Sequence, residues 1–202
     1  MPAPGNHGGL PLQYKMRTFF CIELEDGIKE RLDGRIIQPL KRGIVARVSW
    51  VKRENLHVTL KFLGEIAPER VEELQLAAEV AGEGLEPFSL ELDLLGAFPN
   101  RERPRVIWAG SSSPPPKILQ LYERLERELH SLGFPLEGKP YTPHVTLGRV
   151  KERDRAKIGR LGERLERIEP FRFVAQAQGL TLMESSLNPR GAIYTPIFRL
   201  EF

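Results

Sequence analysis

Two stretches of this chain pair a histidine with a threonine in the same four-residue order: His57-Val58-Thr59-Leu60 and His144-Val145-Thr146-Leu147. In each, polar and apolar residues alternate, the pattern of a strand with one buried and one open face, so each His shares a face with its Thr. At a strand rise of about 3.3 Å per residue, ring and hydroxyl stand roughly 6 to 7 Å apart along the strand. Imidazole has an unperturbed pKa near 6.5, so of two histidines one can accept a proton while the other donates. Two hydroxyls beside them can hold oxyanion oxygens, and two such pairs could bracket a phosphate. A single His-x-Thr on a strand is ordinary, since Thr favours strands. The repeat in the same apolar frame, in a chain with only 4 His, is not.

Other chemistries fit less well. A catalytic zinc takes three protein ligands from His, Cys and carboxylates, and neither phrase contains a Cys or a carboxylate. No metal or other cofactor is expected. A Ser-His-Asp triad lacks its nucleophile-elbow glycine pattern. An ATP-dependent ligase would need a Lys-x-Asp-Gly adenylation motif, and both Asp26-Gly27 and Asp33-Gly34 lack the lysine.

The elements that must position these residues follow from periodicity. Arg17 to Leu24 is an apolar strand, and Ile28, Leu32 and Ile36 at spacing four predict a helix from Asp26 to Leu40 with Gly43 as its stop. Val45 to Val51 reads as a strand. Along Leu56 to Phe62, strict alternation sets Leu56, Val58, Leu60 and Phe62 on the buried face and Lys61 with His57 and Thr59. Gly64 is expected to close that strand. A helix from Pro68 to Ala81 follows, then strands Phe88 to Leu94 and Arg105 to Ala109. The Ser/Pro run Ser111 to Pro116 is the candidate passage between lobes. Ile118, Leu121, Leu125, Leu129 and Leu132 stripe a helix that stops at Gly133, with His130 a surface residue in its last turn. Pro143 to Val150 carries the second phrase. A charged helix from Asp154 to Ile168 and strands at 171–178, 180–184 and 192–202 finish the chain, the last holding Pro196 and so expected at an edge or bulge. The sum is an α+β protein of two similar lobes, each an antiparallel sheet backed by helices, with the phrases lining the cleft between them.

Composition is compatible with this. The 202 residues suit one bilobal domain from 16 to 202, with Pro- and Gly-rich residues 1–15, including His7, as an extension. A net charge of +3 permits a nucleic-acid or phosphorylated partner without requiring one. The lone Cys21, in an apolar run, excludes an internal disulfide and suits a reducing cytoplasm. No apolar run is long enough for a membrane span, so no membrane partner is expected.

The doubled motif with its flanks resembles the 2H phosphoesterase superfamily, in particular its bacterial and archaeal RNA 2′,3′-cyclic phosphodiesterases, also called 2′-5′ RNA ligases. The residues that carry the resemblance are Met16-Arg17-Thr18-Phe19, Trp50, Asn55 to Gly64, Gly96-Ala97-Phe98-Pro99, Pro104 to Trp108, Pro143 to Arg149, Leu180 to Ser185, Gly191 and Tyr194. The resemblance implies a V-shaped cleft and opening of a 2′,3′-cyclic phosphate to a 2′-phosphate. It implies His57 as proton donor, His144 as proton acceptor, and Thr59 and Thr146 on the phosphate oxygens. Arg149 matches a phosphate-contacting position and Phe62 one near the base, yet strict alternation turns both away from the histidines; a bulge at Gly148 would bring Arg149 back. Lys61 has the right face. The expected partners are RNA ends or nucleotides bearing a cyclic phosphate, tRNA fragments among them, and the chain is expected to be a monomer. The competing reading is a non-catalytic RNA-end or nucleotide-binding module using the same cleft.

Overall fold

The computed structural model describes residues 14–44, 46–151, 161–168, 170–189 and 191–202. His7, nearly all of the expected extension and the start of the charged helix, including Ile158, lie outside these residues. The order is β1 (Met16–Glu23), α1 (Asp26–Leu32), a π-helical turn (Asp33–Ile37), α2 (Gln38–Gly43), β2 (Val48–Trp50) and β3 (His57–Ile66). Then come α3 (Val71–Gly82), β4 (Phe88–Leu92), β5 (Leu94–Phe98), β6 (Val106–Gly110), α4 (Pro116–Ser131) and β7 (His144–Val150). The chain ends with α5 (Leu161–Glu166), β8 (Phe173–Ala177), β9 (Gly179–Asn188) and β10 (Gly191–Glu201).

The first helical segment is continuous from Asp26 to Gly43, and its Ile28, Leu32, Ile36 and Leu40 are buried. Its π-helical turn immediately precedes the turn holding Pro39. Proline offers no N–H to the residue four back, and a widened turn accommodates the lost bond. α4 ends as its sequence demands. Gly133 adopts φ +87°, and Phe134 N–H donates to Leu129 O at 3.0 Å, which ties off the last turn.

The main sheet runs β10-β9-β1-β3-β7-β6-β5, with β2 also on β7, and every pairing is antiparallel. β3 and β7 share a single residue pair, Val58 with Val145, both fully buried. That one rung joins two four-stranded halves, β10-β9-β1-β3 and β7 with β6, β5 and β2, and beyond it the strands part. One hydrophobic core spans both halves, and β4 and β8 form a separate two-stranded ribbon whose Phe88, Leu90, Leu92 and Phe173 belong to that core.

Three boundaries differ from the sequence expectations. Gly64 does not end β3: it sits inside the strand at φ +75°, at a register shift opposite Thr18 and Phe19, and the strand continues to Ile66. The expected strand from Phe88 to Leu94 breaks at Asp93, so that β4 pairs with β8 and β5 with β6. Asp93 leaves the ladder to accept Ser112 N–H at 2.8 Å and the Ser112 hydroxyl at 2.5 Å. β9 is longer than expected, through Asn188. Pro196 stands on the edge strand β10 at a register shift, as its missing N–H requires. The Ser/Pro run leads from β6 in one half to α4, which packs on α3 and touches β3 in the other.

Candidate active site

Each histidine opens a strand, and each is fixed by the carbonyl two residues before it. His57 Nδ1 lies 2.7 Å from Asn55 O, and His144 Nδ1 lies 2.7 Å from Thr142 O. A carbonyl only accepts, so both Nδ1 atoms carry hydrogen and both Nε2 atoms present a lone pair when the ring is neutral. Asn55 is itself held in place, its side-chain amide donating to Ala192 O on β10 at 2.8 Å. The Thr59 hydroxyl lies 3.0 Å from His57 Nε2, and in the neutral ring it donates to that lone pair. The Val58–Val145 rung sets the motifs antiparallel, so His57 comes opposite Thr146 and Thr59 opposite His144. An approximate two-fold therefore relates the two copies.

Both strands then bulge at the same place. In β3, Thr59 pairs with Cys21 and Lys61 with Phe20, which leaves Leu60 as an extra residue. In β7, Thr146 pairs with Trp108 and Gly148 with Ile107, which leaves Leu147 as the extra one. Alternation slips by one after each bulge. Phe62 and Arg149 therefore turn onto the side of the histidines, and both line the cleft. Gly148 is required here: a Cβ would stand 2.7 Å from Val48 Cγ1 and 2.9 Å from Trp50 Cε3.

Lys61 is a correction. Strict alternation placed it with His57, but the bulge turns it inward, where it is only 3% exposed. Its ammonium donates to Pro135 O at 2.6 Å and is ion-paired with the Glu126 carboxylate at 2.6 Å and with Glu137 at 3.8 Å. Lys61 thus props the loop after α4 and does not face the cleft.

The two rings differ in their surroundings. His57 stacks on Phe19 with centroids 4.9 Å apart and meets the edge of Tyr194 at 5.3 Å. His144 meets Phe98 edge-on at 5.0 Å and lies 6.1 Å from Trp108. Burial against these apolar rings lowers both pKa values, that of His57 to about 4. The carbonyl bonds oppose the shift, and the positive charge of Arg149 adds to it at both rings.

A cavity of about 620 Å³ opens over this face, lined among others by Thr59, Phe62, Phe98, His144, Thr146 and Arg149. His144 lines this space, and so does Thr59, whose hydroxyl lies 3.0 Å from His57 Nε2. Its walls add residues to which the sequence assigned no site role: Arg105, from the Pro104 to Trp108 stretch, and Tyr122, Lys139 and Tyr141. Tyr141 stacks on Tyr122 with centroids 4.0 Å apart, and its hydroxyl donates to Thr59 O at 3.0 Å. β3 and β7 share only the Val58–Val145 rung, so this phenol satisfies a carbonyl where the sheet has begun to part. A Tyr between Pro140 and Pro143, just before the second motif, was the available signal. Among the described residues, no three His, Cys, Asp or Glu side chains come close enough to hold a metal ion.

The family model of LigT-like phosphoesterases matches residues 22–108 and 110–194, one match for each copy of the motif. The chain belongs to this family. An RNA 2′,3′-cyclic phosphodiesterase of Methanocaldococcus jannaschii is 34% identical over 183 residues, 90% of this chain and 98% of its own. One from Thermotoga maritima is 32% identical, over 93% of this chain and 96% of its own. Among solved structures, TT0787 of Thermus thermophilus superposes with TM-score 0.74 at 27% identity, over 92% of this chain and 97% of its own. E. coli LigT in complex with 3′-AMP does so with TM-score 0.70 at 27% identity, over 94% and 99%. As a LigT-like phosphoesterase the chain is a hydrolase of the cyclic phosphodiesterase class, with the mixed helix and antiparallel-sheet fold of these relatives. Among the described residues, no helix of this LigT-like chain is long and apolar enough to cross a membrane.

Proposed function

We propose that the chain opens the 2′,3′-cyclic phosphate at an RNA or nucleotide end to a 2′-phosphate, using His57 and His144 as paired acid and base. What carries this is the matched restraint of the two rings: each Nδ1 is tied to a backbone carbonyl at 2.7 Å, which leaves each Nε2 as the reactive nitrogen. Water attacks phosphorus, the bond to O3′ breaks, and one proton is taken from water as another is given to O3′. We assign that proton to His144, which lines the open cavity. His57, packed between Phe19 and Tyr194, gives its proton to O3′.

Thr59 and Thr146 hold the phosphate oxygens, and Arg149 supplies the positive charge that the pentacoordinate transition state needs. The substrate thereby replaces the resting bond between Thr59 and His57. Phe62, 55% exposed beside the cleft, is a face on which a base can stack. By microscopic reversibility the same groups join a cyclic-phosphate end to a 5′-hydroxyl as a 2′-5′ bond without ATP, a minor reaction in water.

Incubation with a nucleoside 2′,3′-cyclic phosphate tests this. The expected product is the 2′-phosphate, and His57→Ala and His144→Ala should each slow its formation by about 10²–10⁴-fold. A 3′-phosphate product would contradict the assigned leaving group. Binding of the cyclic end with no turnover would instead establish a recognition module.

A further inference from the structure

We propose that Arg105 forms a second anion subsite in this cavity, one that takes the phosphate preceding the cyclic-phosphate nucleotide of an oligonucleotide. The inference rests on the hydrolytic reading above and names the substrate class that the site favours.

Charge matching leads to it. Three cations line the cavity, Arg105, Lys139 and Arg149, and among the described residues none has a side-chain hydrogen bond or ion pair. A cyclic phosphodiester carries one negative charge. Arg149, whose charge is felt at both histidine rings, is placed to meet it. Arg105 and Lys139 are then surplus for a mononucleotide.

Their surroundings separate the two. Lys139 shares its wall with Glu137, a carboxylate that also lines the cavity. Arg105 lines the cavity with Phe98, Pro99 and Val106, and among the described residues no carboxylate lines it beside them.

The ladder fixes where Arg105 stands. His144 pairs with Gly110, Thr146 with Trp108 and Arg149 with Val106. Arg105 follows as the next rung outward, its carbonyl accepting Val150 N–H at 2.9 Å and its own N–H donating to Phe98 O at 2.6 Å. Its backbone is therefore fixed while its exposed guanidinium is free to fork onto a phosphate. The order outward is histidine, threonine, Arg149, Arg105. A nucleoside 2′,3′-cyclic phosphate has no second phosphate to offer Arg105, whereas a strand supplies one on the 5′ side of its terminal nucleotide.

The test compares kcat/KM for a nucleoside 2′,3′-cyclic phosphate with that for a short oligoribonucleotide ending in the same cyclic phosphate, over a range of salt. The wild-type protein should prefer the oligonucleotide. Arg105→Ala should cut that preference at least tenfold and reduce the salt slope on the oligonucleotide by about 0.7, the single-strand value for one phosphate contact. Arg105→Lys should keep much of the slope. An unchanged preference in Arg105→Ala, an equal loss on both substrates, or a loss that follows Lys139→Ala instead would overturn the subsite. A wild-type protein that hydrolyses neither substrate overturns the hydrolytic reading, and this one with it.

Discussion

Phe62 and Arg149 occupy equivalent positions in the two halves of the cleft, each five residues after its histidine and each turned toward the cleft by a one-residue bulge. The duplicated backbone thus offers an aromatic face on one side and a cation on the other. The histidines and threonines are common to both copies, and the side chains beyond the bulge distinguish them.

The pH dependence follows from the lowered histidine pKa values. Catalysis by this pair needs one ring charged and one neutral, and kcat/KM reports the free protein. That form is most populated midway between the two apparent pKa values of the coupled pair. Burial holds both below 6.5, with His57 at about 4, so the bell of kcat/KM should peak on the acid side of pH 6.5. A maximum at pH 7 or above would contradict the environment described for the rings.

Arg149→Gln removes a positive charge that depresses both rings. The bell should move toward neutral pH while KM rises, the first through the histidines and the second through lost phosphate contact. A pH–rate series on the variant separates the two effects. A rise in KM with an unmoved bell would mean that Arg149 acts on the substrate alone.

The buried Lys61–Glu126 pair should behave as a structural strut. Lys61→Met leaves Glu126 buried without its cation, a change expected to cost about 3–5 kcal/mol. Removing both charges in Lys61→Met with Glu126→Leu should recover much of that loss. Urea unfolding of the two single variants and the double variant measures the difference.

Tyr141→Phe deletes the hydroxyl that donates to Thr59 O and leaves that carbonyl without its partner, a loss of about 1–3 kcal/mol. Because the freed segment carries Thr59 on one side and the Thr142 carbonyl lies next to Tyr141 on the other, kcat should fall more than KM rises. Steady-state kinetics at several temperatures would check this, since a purely structural loss would scale with the unfolded fraction.

Much of the site was legible in the sequence, and its misreadings share one physical cause. Alternation correctly buried Leu56, Val58 and Leu60 and put His57 with Thr59. It failed at Lys61 and Phe62, because a bulge is a property of the partner strand's register and Leu60 looks like any other apolar residue. In the second copy Gly148 announced the same event, since its missing side chain is what lets Trp50 and Val48 approach. The break at Asp93 was silent for a similar reason: Leu92 and Leu94 continue the alternation while pairing with different sheets. Tyr141, Arg105 and Lys139 reach the cleft through tertiary placement, which periodicity does not encode.

The exchange of elements between the halves also sets what dissection of this chain can achieve. The first half of the sequence supplies β2 to β7, and the second half returns β9 to β1 and lays α4 on α3. A cut in the Ser/Pro run would therefore give two fragments that each lack strand partners held by the other. Neither should fold alone, while the two mixed together should reassemble a working cleft, as complementing halves of one catalyst.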